Sequence, residues 1–277
     1  MVSLLKLAAP SIPGLNLLPG IRKSGGEFAG LVGTPTPVRV KRDHVDAYAE
    51  VCGFPIKDVL PLTYPHLLAF PLHSELMASP QFPAPAIGTV HLENSITQHR
   101  RIGVEESLVV SVGVDGRHPH PKGSTFGFTT RITADGELVW ESISTYLRIG
   151  RGDRDAAWGL DLHDVPPSGP VFDLRADLGR RYAAVSGDYN PIHLYAATAK
   201  PLGFKRQIAH GMWTKARCVA ALESRLPARV TVQVAFKKPC FLPSSVALGT
   251  LATEAGYDFS LSKPGADTVH LLGRTTA

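Results

Sequence analysis

Residues 182–212 read "YAAVSGDYNPIHLYAATAKPLGFKRQIAHGM", and inside them "SGDYNPIHLY" (186–195) packs a glycine, an acid, an amide, a proline and a histidine into ten positions. Asn190 before Pro191 predicts a helix start. The Asn side chain can accept a free N–H of the first turn, and proline's fixed φ suits the first helical position. His193 then falls in that first turn. Gly187 permits a backbone angle other residues resist, so a sharp turn at 186–188 brings Asp188 back beside His193. Two readings fit the decapeptide by itself. In one, Asp188 and Asn190 are turn residues and His193 is an ordinary helix-start histidine. In the other, a carboxylate and an imidazole converge on one water as a general acid/base pair.

A second stretch lies a short way beyond His193: "IAHGMWT" (208–214). Gly211 stands where a long apolar helix, "GMWTKARCVAALESRL" (211–226), should begin. A helix N-terminus presents unpaired N–H groups and a partial positive charge. A residue without a side chain there lets a substrate carbonyl reach the backbone, which a developing oxyanion requires. The alternative is a glycine that merely starts a tightly packed helix.

Outward from this region, "RDHVDAYAEVCGF" (42–54) predicts a short amphipathic helix ending at Gly53, and "LLAFPLHSELMA" (67–78) a further helix despite Pro71. Strand signals follow in 89–102, 106–114, 123–133 and 137–149, with turns at Asp115-Gly116 and Asp135-Gly136. Residues 150–170, rich in Gly, Pro and Asp, read as a linker, and their "RGD" as linker composition. Helices at 177–187, 191–200 and 211–226 come next, then strands in 229–239, 245–255, 257–263 and 268–276. Helices then strands thus occur twice. "TVHLENSITQHRRIG" (89–103) placed over "RVTVQVAFKKPCFLP" (229–243) matches Ile96 with Phe236 and Ile102 with Leu242. The economical architecture is α+β, two copies of one unit in which an antiparallel sheet wraps a helix.

Residues 182–212, with their Ser-Gly-Asp, Asn-Pro-Ile-His and His-Gly-Met elements, resemble the hydratase-2 motif of the MaoC-like (R)-specific enoyl-CoA hydratases and 3-hydroxyacyl-thioester dehydratases. The resemblance implies a double hot-dog fold. Residues 1–150 would form a degenerate N-terminal unit, 151–170 a linker, and 171–277 the catalytic unit. No second Asp-x-Asn-Pro-x-His occurs in residues 1–150, so one site per chain is expected. The resemblance assigns Asp188 and His193 as the catalytic pair, the Gly211 N–H as the group that polarises the thioester carbonyl, and Asn190 and Ser186 as supporting residues. The implied substrate is an acyl-CoA or acyl-carrier-protein thioester. No cofactor and no metal are implied, because the thioester itself stabilises the enolate. Many relatives carry Asp where this chain has Tyr195, which bears on local packing or substrate shape.

Other features narrow the classes. The net charge of +5 reads as spread along the sequence, with no basic run beyond pairs such as Lys237-Lys238, which argues against nucleic acid and suits a polyanionic small molecule. Lys237 and Lys238 are either phosphate contacts or plain solvent-exposed lysines at a strand end. His118 and His120 suggest a polar loop more than a metal site. Three scattered cysteines argue for a reducing, cytoplasmic setting, and no apolar run is long enough to span a bilayer. The apolar N-terminus "MVSLLKLAAPSIPGLNLLPGIRK" reads as an arm packed on the protein rather than a signal peptide, lacking a basic start and carrying Pro10 and Pro13. Rival functions are a hot-dog thioesterase, whose acid would sit on the central helix where only Glu223 is available, and a non-catalytic acyl-binding subunit. Monomer and homodimer both remain open.

Overall fold

The computed structural model describes residues 28–86 and 88–277. The apolar N-terminal arm expected to pack on the protein lies outside them.

The described chain begins with two short strands, β1 (Leu31–Val32) and β2 (Thr36–Arg39). Helix α1 (Arg42–Cys52) follows, then α2 (Pro65–Ala78) and four long strands, β3 (Thr89–Gln98), β4 (Ser107–His120), β5 (Gly123–Ala134) and β6 (Glu137–Ile149). After an irregular stretch the order recurs: β7 (Val171–Leu174), α3 (Leu178–Ser186), the single turns α4 (Pro191–Leu194) and α5 (Ala196–Ala199), α6 (Gly211–Leu222), then β8 (Val230–Phe236), β9 (Ser244–Thr253), β10 (Gly256–Ser262) and β11 (Val269–Thr276). The second copy adds α4 and α5, with 3-10 turns at Lys200–Leu202 and Glu223–Arg225. Helices α4 and α5 and the first of these turns fill a connection of twenty-four residues between α3 and α6, where the first copy uses twelve between α1 and α2.

All strand pairs are antiparallel, in the order β1-β4-β5-β6-β3-β8-β11-β10-β9-β7, with β2 also on β4. The two sheets of the double hot dog therefore join edge to edge through β3 and β8, in the register Glu93–Ala235 to Gln98–Val230. These are the two strands whose sequences align. Helix α2 packs on β4 and β5, and α6 on β10. Each sheet wraps one helix because its alternating residues face that helix: Val110, Val112 and Val114 of β4 are buried while Val109 is exposed. Trp140 is fully buried and donates from Nε1 to the Leu62 carbonyl at 2.9 Å.

Polar contacts clamp the seam. The Lys215 ammonium of α6 is fully buried and donates to Asn94 O (3.1 Å), Asn94 Oδ1 (2.5 Å) and Val232 O (2.9 Å). Burial pushes the Lys215 pKa well down, but three acceptors match the three protons of the charged form, so this interior amine is satisfied without a carboxylate.

Several expectations hold at the residue level. Helix α1 ends at Gly53 (φ 80°) and α3 at Gly187 (φ 74°), both left-handed caps whose N–H bonds back to the helix. The β5–β6 turn has Asp135 at φ 49° and Gly136 at φ 83°, a pair of positive angles suited to a tight hairpin. Others need correction. Asp115-Gly116 is not a turn: β4 runs through it with a register shift between Val114 and Arg117, and Asp115 Oδ1 accepts the Gly127 N–H at 2.7 Å. His118 and His120 accordingly lie on the end of a strand, not in a loop. The expected helix 191–200 is broken at Tyr195, which is extended (φ −144°, ψ 153°) with Arg180 stacked over its ring at 4.7 Å. The linker 150–170 contains no helix or strand but is tied down, Val165 N–H to Ser260 Oγ at 2.8 Å and Leu160 N–H to Glu93 Oε1 at 2.7 Å.

Candidate active site

The left-handed cap at Gly187 turns the chain so that Asp188 leaves α3 towards the interior. Ser186 Oγ accepts the Asp188 N–H (3.2 Å), and Asp188 Oδ1 accepts the Asn190 N–H (3.1 Å). Asn190 Oδ1 in turn accepts the Ile192 N–H (3.4 Å), capping α4 with Pro191 in its first turn as expected. These bonds set the direction of a half-buried carboxylate.

His193, buried in α4, bonds through Nδ1 to the Ile208 carbonyl at 2.8 Å. A carbonyl only accepts, so Nδ1 carries the hydrogen and Nε2 keeps the lone pair. The backbone behind it is fixed closely: a Cβ at Gly179 would stand 1.9 Å from the His193 carbonyl oxygen. Glycine is required there for α3 to approach α4.

His210 completes the group. Its ring stacks on that of His193 at 3.7 Å and 24°, and its Nε2 donates to the Asp188 carbonyl at 2.9 Å, with Asp188 Oδ2 at 3.8 Å. One donor atom from each of Asp188, His193 and His210 lies within 4.8 Å of the others. A divalent cation also takes such groups, but here Nε2 of His210 is committed as a hydrogen donor, which leaves its lone pair on Nδ1. That Nδ1 is buried without a partner among the described residues.

Burial decides the charge of both rings. It lowers the His193 pKa, against the nearby Asp188 carboxylate and the bond to Ile208. Burial, then the neighbouring His193, lowers His210 to about 3, again against Asp188. Both imidazoles are neutral near pH 7. The site therefore offers a carboxylate and the lone pair of a neutral imidazole side by side, two hydrogen acceptors for one water.

Gly211 is the first residue of α6, directly after His210. First-turn N–H groups have no partner within the helix. The absence of a side chain has a reason the sequence did not reveal: a built Cβ would sit 3.2 Å from the Phe236 ring of β8. The glycine makes room for a packed phenyl ring beside the helix mouth. Beyond it lies the N-terminal half, where His91 contacts Phe236 at 5.0 Å between ring centres and stacks on Tyr146 at 4.4 Å.

The candidates Asp188, His193, Gly211, Asn190 and Ser186 are thus in one place. Lys237 and Lys238 are exposed just past β8, backbone-tied to His270. Glu223 is held away by Lys57, whose Nζ donates to both carboxylate oxygens at 2.7 Å. Sequence reasoning missed His210, although it stands in the quoted "IAHGMWT", and Gly179, whose signal is a glycine inside a helical pattern. It also took the basic surplus as spread. Residues 180–206 carry Arg180, Arg181, Lys200, Lys205 and Arg206 against the single acid Asp188.

The MaoC like domain family matches residues 170–255, the half that holds this group. The chain is 35% identical over 231 residues to 3-hydroxyacyl-thioester dehydratase X of Mycobacterium tuberculosis, covering 82% of each. The chain belongs to the MaoC-like hydratase and dehydratase family. A second family relative, an (R)-specific enoyl-CoA hydratase of Aeromonas caviae, is 35% identical over 69 residues, 24% of this chain and 52% of that protein. Among solved members, the crystal structure of HtdX of M. tuberculosis superposes with a TM-score of 0.77 at 33% identity, covering 89% of this chain and 98% of that one. Against the motif expected of the family, Tyr195 is the departure. It lies outside the Asp188–His193–His210 group, half exposed under Arg180.

Proposed function

We propose that this chain is a hydro-lyase that reversibly hydrates trans-2-enoyl thioesters and dehydrates (3R)-hydroxyacyl thioesters, of CoA or an acyl carrier protein, in fatty-acid metabolism. The observation that carries the reading is the convergence of Asp188 and the unprotonated edge of His193 beside the mouth of α6. A water there donates one hydrogen to each and turns its lone pair towards C3 of the substrate. Asp188 takes a proton as the C3–O bond forms. The electron pair of the C2=C3 bond moves through the conjugated system onto the carbonyl oxygen, which the Gly211 N–H receives. Return of the proton to C2 completes the addition of one water, and elimination is the reverse.

His193 holds the second O–H in place, and His210, stacked on it and bonded to the Asp188 backbone, fixes the mutual position of the pair. Asn190 and Ser186 act through Asp188 and α4. The basic residues of 180–206 suit the phosphates of a CoA or pantetheine arm. Residues 1–150, 151–170 and 171–277 serve as closing unit, linker and catalytic unit, as one fused pair. The fused pair supplies the partner a single hot dog needs, so the chain works as a monomer or as a homodimer of such pairs. No described helix is long and apolar enough to cross a membrane. Three free, buried cysteines fit a reducing, cytoplasmic setting. The engagement of Glu223 by Lys57 speaks against a thioesterase using that acid.

The test is the loss of enoyl absorbance when trans-2-enoyl-CoAs of increasing length are incubated with the protein, with chiral analysis of the alcohol. The (R)-alcohol is expected, at a rate unchanged by a metal chelator. Exclusive (S)-alcohol, or release of free thiol from a saturated acyl-CoA without hydration, overturns the reading.

A further inference from the structure

Tyr48 of α1 and Tyr182 of α3 meet where the two halves join, and each leans on the residue that precedes its half's central helix. Tyr182 lies against His210, with 4.8 Å between ring centres, and Tyr48 against Tyr64 at 5.4 Å. His210 and Tyr64 hold the same place, directly before α6 and α2. The Tyr48 and Tyr182 rings are 6.2 Å apart, and His193 stacks on His210. His193, His210, Tyr182, Tyr48 and Tyr64 therefore form one column of buried rings that runs from the candidate site into the first half. The Tyr48 hydroxyl donates to Thr63 Oγ1 at 2.8 Å, and both side chains are fully buried. Burial raises the Tyr182 pKa well above the phenol range, Cys52 and Asp188 nearby add to the rise, and a side-chain hydrogen bond with Tyr48 opposes it.

Packing alone does not call for a tyrosine at position 48. A phenylalanine would fill the same space with no hydroxyl to desolvate. What the hydroxyl adds is direction: two rings in contact can slide, whereas a hydrogen bond at the end of the ring tolerates little displacement. That constraint matters at His210. Its Nδ1 is buried without a partner among the described residues, so a single hydrogen bond, from Nε2 to the Asp188 carbonyl, holds the ring edge. The rest of its placement comes from the neighbouring rings of His193 and Tyr182. We propose that Tyr48 and Thr63, from the half that lacks the motif, are positioning residues for the Asp188–His193 pair, acting through Tyr182 and His210. In its effect on rate this rests on the thioester reading above.

The experiment joins steady-state hydration of trans-2-octenoyl-CoA with the imidazole nitrogen NMR spectrum of the full-length protein. Tyr48→Phe is expected to lower kcat about tenfold with KM within about twofold, a fraction of the 10² that a displacement of about 1 Å costs. Thr63→Val, which removes the acceptor, is expected to do the same, and Thr63→Ser, which keeps it, to restore most of the rate. Tyr48→Phe combined with Thr63→Val is expected to be no slower than either alone, because both act along one path. Val45→Ala is the control. Val45 is buried on the same helix but outside the column, and its truncation leaves a cavity in that core. It is expected to lower stability at least as much as Tyr48→Phe and to leave kcat unchanged. In the spectrum, Tyr48→Phe is expected to move the His210 resonances and to leave those of His270, bonded to the Lys238 carbonyl, in place.

An equal loss of kcat in Val45→Ala and Tyr48→Phe would reduce the column to ordinary core and overturn the proposal. So would a Thr63→Ser variant as slow as Thr63→Val, or His210 resonances unmoved in Tyr48→Phe. Should Tyr48→Phe fail to fold, the two Thr63 variants carry both readouts. The spectrum needs no turnover: His210 resonances that move in a protein hydrating no enoyl-CoA remove the lyase reading and keep the column.

Discussion

The two halves begin with the same helix and end differently one residue after it. Tyr48-Ala49-Glu50-Val51-Cys52-Gly53 and Tyr182-Ala183-Ala184-Val185-Ser186-Gly187 correspond position by position, both helices close on a left-handed glycine, and the Tyr48 and Tyr182 rings lie 6.2 Å apart. The next residue is Phe54 in one half, buried in the core, and Asp188 in the other. Three residues before the tyrosines, Val45 is buried in the first half, and Gly179 stands in the second, where the His193 carbonyl needs the space. The chain then takes twelve residues to reach the central helix in the first half and twenty-four in the second. The proposed chemistry therefore enters through the longer connection. Helix and cap are shared scaffold, and what they aim depends on whether the following segment carries an imidazole back to them.

The largest effects test that statement directly. Asp188→Asn and His193→Ala are each expected to lower enoyl-CoA hydration by about 10² to 10⁴, the usual worth of a placed acid or base. The reciprocal change, Phe54→Asp, is expected to create no second site, because no histidine returns to that cap. It should instead destabilise the fold by several kcal/mol, on the scale of losing a buried Phe. Denaturant unfolding checks the second outcome, and the absorbance assay with Phe54→Asp added to an Asp188→Asn background checks the first. Activity regained in that double variant breaks the comparison.

The buried histidines sharpen it through pH. Burial lowers His66 of the N-terminal half to about 4. Between pH 6.5 and about 4 the unfolded chain binds a proton there that the folded chain refuses, so stability is full above pH 6.5 and is lost as pH falls through that window. Each unit of depression is worth about 1.4 kcal/mol, so a His66→Phe variant is expected to shed up to about 3 kcal/mol of acid sensitivity. Denaturant midpoints at pH 7 and pH 4.5 measure it. An unchanged pH slope removes the claim that this ring is held neutral.

Gly179→Ala comes next. Its methyl group would stand against the His193 carbonyl, so α4 must shift. A displacement of about 1 Å in a reacting group costs on the order of 10² in rate. We expect that loss in kcat with KM little changed, and a fold that remains cooperative. Near wild-type turnover would mean that α4 slides without consequence, and that the tight helix approach in the second half has nothing to do with chemistry.

Where the physics is local, these differences were legible in the sequence. Asn190-Pro191 specified a helix start, Gly53 and Gly187 specified ends, and Asp135-Gly136 specified a hairpin, each because one residue type satisfies one backbone requirement. The decapeptide and "IAHGM" singled out Asp188, His193 and Gly211, and the resemblance to the family assigned them to one group. Long-range effects were hidden. Strands β1, β2 and β7 are two to four residues long and exist only because a neighbouring strand offers an edge. The extended Tyr195 at the break packs under Arg180 from another helix. The part played by His210 depends on its ring stacking on His193 from another segment. The rings of His66, His73 and His91 meet from two elements of the other half, and no single stretch of sequence reveals that contact.

The smallest expected effect concerns Asn190. It touches nothing that reacts in the proposed scheme: its Oδ1 accepts one N–H of α4 at a long 3.4 Å, and its own N–H goes to Asp188 Oδ1. Asn190→Ala keeps the second bond and loses the first, a cap worth about 1 kcal/mol. Because α4 is a single turn with no other cap, part of that loss should appear as freedom of His193, lowering kcat by a few-fold. Asn190→Asp keeps an accepting oxygen at the same reach and is expected to restore most of the rate. The first half, which has no α4, offers no parallel, so the variant separates residues that do chemistry from those that hold them. A loss in Asn190→Ala as deep as in His193→Ala, unrelieved in Asn190→Asp, would put the amide itself against substrate and move it from scaffold into the reacting group.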